Sequence, residues 1–157
     1  MAKLLMILVQ ALGLILMPTL ALSQQQLLDD PVSFEKSHFS KQCKSVDFGD
    51  EFATKLDINN DGLQDVVINH GSMICDGEKG VGCNGEGCPY NFYIQVKEGG
   101  YLLMATAQIY GYDFIKRFGN MVFVFKMHPK YCDRLAGDPC LMTVRVRGAE
   151  MFTISKK

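Results

Sequence analysis

Nine residues carry the most specific chemistry in this chain: Asp57-Ile58-Asn59-Asn60-Asp61-Gly62-Leu63-Gln64-Asp65. Side-chain oxygens fall at positions 1, 3, 5 and 9 of the stretch, with Gly at position 6. Calcium takes hard oxygen ligands, about six to eight of them at about 2.3–2.6 Å. Alternate residues of a tight turn aim Asp57, Asn59 and Asp61 at one point. Gly62 permits the backbone reversal, Leu63 offers its carbonyl at position 7, and Asp65 closes the shell. Three carboxylates repel one another until a cation offsets them. The competing reading is an Asn/Asp/Gly turn that only reverses the chain.

The loop departs from a helix–loop–helix sensor. Position 12 is Ile68, where a bidentate Glu would be needed. Phe52 to Leu56 before it and Asp65 to Asn69 after it suit strands. The expected arrangement is therefore strand–loop–strand, with calcium as the cofactor.

Six Cys form the second constellation: Cys43, Cys75, Cys83, Cys88, Cys132 and Cys140. An even count in an exported chain reads as three disulfides, and six Cys allow fifteen connectivities. Short loops favour Cys83–Cys88 and Cys132–Cys140, leaving Cys43–Cys75; the other pairings stay open. No C-x-x-C pair occurs, and His38, His70 and His128 do not sit at ligand spacing from a Cys pair. A zinc site and a thioredoxin-like redox role are both disfavoured.

Export is read from the first 23 residues. Lys3 gives a positive start, Leu4 to Leu16 is almost wholly apolar, and Pro18 ends any helix. Ala21-Leu22-Ser23 places small residues at a cleavage site before Gln24, and a cut after Ala21 is nearly as good. Leu4 to Leu22 is also about long enough to span a bilayer, so an uncleaved anchor is the competing reading. With the signal removed, no stable membrane insertion is expected, and the location is periplasmic or secreted.

The elements that must position the loop follow from the rest of the chain. Its 157 residues fit about one domain, and 48% hydrophobic residues with 21% charged residues are ordinary for a globular protein. Sixteen Lys and Arg against 17 Asp and Glu give a net charge of −1, which disfavours nucleic acid as a partner. Residues 24–45 are polar and read as a partly ordered leader. Residues 46–157 read as one antiparallel β domain, a meander or sandwich of about seven to eight short strands, stabilised by disulfides. Phe92, Ile94 and Val96 alternate with Tyr93, Gln95 and Lys97, as in a half-buried strand. Met121 to Phe125 is apolar on both faces and reads as a central, covered strand. Gly119-Asn120 suits a hairpin connection. Residues 76–87 (DGEKGVGCNGEG) form a Gly-rich loop held by Cys.

Enzyme signatures are absent. No G-x-S-x-G, H-E-x-x-H or G-x-G-x-x-G occurs. His70 and Ser72 sit close in sequence, but no third member of a triad is recognisable. Tyr110, Tyr112, Phe114 and Phe118 read as cross-strand core, with a carbohydrate-binding strip as the alternative.

Residues 52–69, with Asp57-x-Asn59-x-Asp61-Gly62-x-x-Asp65 before an apolar strand, resemble the calcium loop of FG-GAP or VCBS-type repeats. The order of Cys43, the 57–65 loop, Cys75-Asp76-Gly77, Cys83, Gly87-Cys88 and the Cys132, Cys140 pair resembles small exported Cys-rich bacterial proteins. Only one copy of the loop is present, so a closed propeller is not expected. The function expected is a non-catalytic, calcium-stabilised binding module of the cell envelope, with a protein or glycan partner. The alternatives are an inhibitor of a cell-wall hydrolase such as lysozyme, and a hydrolase whose site carries no recognisable motif.

Overall fold

The structure is a computed structural model and describes residues 26–157 except residue 118. The expected signal peptide, 1–23, lies outside the described residues, as does Phe118 of the aromatic strip. No helix among the described residues is long and apolar enough to cross a membrane.

Two four-stranded antiparallel sheets make a sandwich. One contains β2 (Ala53–Leu56), β3 (Asp65–Asn69), β6 (Cys88–Gln95) and β7 (Tyr101–Ile109), in that order. The other contains β8 (Gly111–Arg117), β9 (Asn120–Met127), β10 (Cys140–Arg147) and β11 (Glu150–Lys156), in the order β11-β10-β9-β8. Three very short strands, β1 (Val46–Phe48), β4 (Met73–Cys75) and β5 (Glu78–Lys79), form a third sheet. The expected antiparallel β domain is present. Among the described residues it has eleven strands, more than the seven or eight expected, because strands of two or three residues carry no readable alternation.

Period-two patterning fills the space between the large sheets. Val67, Phe92, Ile94 and Ile109 from one meet Phe123, Phe125, Val144 and Val146 from the other. The β8–β9 hairpin pairs Arg117 with Asn120, so its turn lies one residue earlier than Gly119-Asn120. Gly119 sits there at a φ of 79°, which a side chain would strain.

Residues 24–45, read as a partly ordered leader, contain the one α-helix among the described residues, α1 (Pro31–Gln42). Its start follows local chemistry. Asp30 Oδ1 accepts from the Val32 amide at 2.9 Å, and Pro31 occupies the first turn, where no amide is needed. Glu35 and Phe39, one turn apart, point inward. The helix covers the outer face of the β2-β3-β6-β7 sheet, where Phe39 and Cys43 meet Val66, Ile68, Met73 and Tyr93. Strand β6 is consequently buried on both faces, although its alternation suggested one wet face.

The disulfides are Cys43–Cys75, Cys83–Cys88 and Cys132–Cys140, the pairing favoured by loop length. Their Cα separations of 5.5, 4.1 and 6.2 Å tie α1 to β4, close the Gly-rich loop, and brace the start of β10.

Candidate functional site

Strands β2 and β3 meet at the pair Leu56 and Asp65, and residues 57–64 make the connection. The loop folds on its own side chains. Asp57 Oδ1 accepts from the Asp61 amide and Oδ2 from the Gly62 amide, each at 3.0 Å. Asn59 Oδ1 accepts from the Asp61 amide at 3.1 Å, and Asp61 Oδ1 accepts from the Leu63 amide at 2.8 Å. Asn59 Nδ2 donates to Asp61 Oδ2 at 3.0 Å and to the Gly148 carbonyl at 3.3 Å. Gly62 takes a φ of 86°, as the reversal requires. Ile58, fully buried, plugs the loop into the sandwich core.

Asp65 sits beneath this turn with no exposed surface. Its Oδ2 accepts from the Ile58 amide at 2.7 Å and its Oδ1 from the Gln95 amide at 2.8 Å. Burial pushes its pKa up to about 6; the Gln95 and Ile58 amides oppose this, and the charges of Asp61 and Asp57 add to it. The loop therefore brings Asp57, Asn59 and Asp61 together at the surface. Asp65 anchors the loop from below, and its two oxygens, like those of Asp57, each accept from an amide. Leu63 enters the turn through its amide.

The donor set suits a hard cation: three short side chains with oxygens turned into one turn of backbone. Among the described residues, no ion pair involves Asp57, Asp61 or Asp65. No group of three His, Cys, Asp or Glu side chains among them closes round a common point. A cation here would gather the Asp57, Asn59 and Asp61 side chains and offset their charge.

A second polar cluster was not visible in the sequence. Glu35 reaches under α1, where Asn91 Nδ2 donates to its Oε1 at 2.6 Å and the Tyr93 hydroxyl donates to the same atom at 2.5 Å. Thr106 Oγ1 donates to Asn91 Oδ1 at 2.6 Å, which fixes the amide. His70 Nε2 lies 3.5 Å from Glu35 Oε2, and its ring packs edge-on to Phe39 at 4.9 Å. His70 belongs to a 3-10 turn, His70–Ser72, not to a strand. Its partner is Glu35, and Ser72 instead holds the Gly49 amide through its carbonyl. The signal for this cluster was Asp30-Pro31, a helix start that would have placed Glu35 and Phe39 on one face.

Burial pushes the Glu35 carboxyl up, but bonds from His70, Tyr93 and Asn91 outweigh that and hold it below its ordinary 4.5. Folding thus favours the ionised form. The stabilisation is complete above the unfolded value and is lost as pH falls through the lower folded value. Wild type is expected to weaken below about pH 4.5, and Glu35→Gln, which cannot titrate, is expected to weaken less steeply there. Near neutral pH the same variant is expected to cost about 1–3 kcal/mol through lost charge-assisted bonds. Urea midpoints across acid pH check this; parallel profiles for the two proteins would contradict it.

The Gly-rich loop is fastened to the body. Gln108 Nε2 donates to the Gly87 carbonyl at 2.6 Å, and the Tyr131 hydroxyl donates to Glu86 Oε2 at 2.9 Å, with Lys130 paired to the same carboxylate. Of the aromatic strip, Tyr112 and Phe114 pack on Phe123 with ring centroids 5.2 and 4.7 Å apart. Tyr110 is 40% exposed. Comparison of the chain with protein-family models, with curated proteins and with solved structures finds no match.

Proposed function

We propose that this chain is an exported, non-catalytic binding module of the cell envelope whose 57–65 loop is fastened by a calcium ion. The observation that carries the reading is the inward turn of the Asp57, Asn59 and Asp61 side-chain oxygens, of which the Asp57 and Asp61 carboxylates are paired by no Lys, Arg or His among the described residues. The three disulfides support export, because such bonds persist in oxidising compartments. The likeness to FG-GAP and VCBS-type calcium loops supports the choice of ion.

In this reading the ion is structural. It offsets the carboxylates and fixes the turn that plugs Ile58 into the core. Extracellular-type sites have dissociation constants on the order of 10⁻⁴ M. At about 1 mM calcium, mass action then adds roughly 1.4 kcal/mol, a few degrees of melting temperature. Asp61→Ala is expected to abolish that increment, since it deletes the central ligand and leaves Gly62 in place. Thermal melts of both proteins, with calcium and with chelator, measure it. A wild-type melt indifferent to chelator would overturn the calcium reading.

A further inference from the structure

A cleft of about 440 Å³ opens beside the sandwich, away from the 57–65 loop. Thr54 of β2, Asn69 of β3 and Tyr90 of β6 form one wall, and Tyr110 and Tyr112 at the β7–β8 connection form the other, with Glu51 also lining it. The size falls in the range of small-molecule sites.

The cleft combines fixed aromatic rings with polar groups that have no protein partner. Tyr112 is held edge-on between Tyr90 at 5.8 Å and Phe123 at 5.2 Å. The Tyr110 hydroxyl donates to the Gly85 carbonyl at 2.7 Å, and the Cys83–Cys88 disulfide closes the loop that carries Gly85. Asn69 Oδ1 accepts from the Gly71 amide at 2.9 Å, which leaves its Nδ2 with two hydrogens to donate. The Tyr90 hydroxyl and the Glu51 carboxylate make no hydrogen bond to a described residue, and neither is among the buried polar atoms left without partners. These atoms therefore bond to solvent or to a ligand.

We propose that this cleft binds one sugar ring of a neutral glycan. A hexose offers an apolar C–H face to a tyrosine ring and hydroxyls at its rim for a carboxylate, an amide and a phenol. Among the described residues Glu51 is the one charged residue lining the cleft, so anionic sugars are repelled and neutral ones accepted. Glycosidases canonically use two carboxylates, and this cleft has one, so the glycan is held without being cut. The inference rests on the binding-module reading and is independent of the calcium loop.

The test uses the full mature chain and a panel of neutral trisaccharides built from N-acetylglucosamine, glucose or galactose, with a hexuronate trisaccharide as the anionic control. Calorimetry is expected to show at least one neutral trisaccharide binding with a dissociation constant on the order of 1 mM or tighter, and the hexuronate more weakly. Tyr110→Ala and Glu51→Gln are each expected to weaken binding about tenfold. Glu51 is exposed and makes no protein hydrogen bond, so its variant keeps the fold; a melt confirms it for both. Binding of no neutral trisaccharide, or wild-type affinity in both variants, overturns the cleft and leaves the calcium reading standing. Recovery of a shortened glycan supports the cleft and overturns the non-catalytic reading.

Discussion

Replacing Phe123 with Ala is expected to cost about 3–5 kcal/mol. Phe123 has no exposed surface. Its ring lies 5.3 Å from Phe92 across the sandwich, 5.3 Å from Phe125, 5.2 Å from Tyr112 and 4.7 Å from Phe114. Truncation removes the apolar area and leaves a cavity whose walls belong to two rigid sheets, so little can collapse inward. For a domain of this size the melting temperature should fall on the order of 10–20 °C. Tyr112 loses its backing at the same time, so the cleft should lose affinity as well. Urea unfolding measures the stability change. A loss below about 1 kcal/mol would mean that the sheets do not meet at Phe123.

Removing the Cys43–Cys75 bridge, as Cys43→Ser with Cys75→Ser, is expected to cost about 3.7 kcal/mol in the chain-entropy account. This bridge spans a sequence separation of 32, against 5 for Cys83–Cys88 and 8 for Cys132–Cys140. It constrains the unfolded chain most, so the same account gives about 2.2 and 2.6 kcal/mol for the other two. The bridge also joins the end of α1 to β4, so losing it frees the helix that carries Glu35. The urea midpoint should fall most for the Cys43, Cys75 pair, less for Cys132, Cys140 and least for Cys83, Cys88, and an unchanged midpoint for the Cys43, Cys75 pair would contradict it.

How much of this was legible in the sequence depended on how local the signal was. The 57–65 loop and its flanking strands read directly, because Asn, Asp and Gly at alternate positions dictate their own turn. The disulfide pairing read from loop length. Helix α1 did not read from periodicity. Its inward row is Glu35 with Phe39, and a buried carboxylate looks like surface until its partners are known. Those partners, His70, Asn91 and Tyr93, come from residues 35 or more positions away, a distance that pattern cannot cross. The same gap hid the second buried face of β6, since its cover is that helix. Asp65 was read as closing the ligand shell; in the structure its two oxygens accept from the Ile58 and Gln95 amides beneath the loop. The Gln95 contact is long-range and has no local signature.

Calorimetric titration of calcium into the metal-free chain decides whether the 57–65 loop holds an ion. One site per chain with a dissociation constant on the order of 10⁻⁴ M is expected, and no binding in Asp61→Ala. No heat at millimolar calcium, or equal binding in the variant, would contradict it.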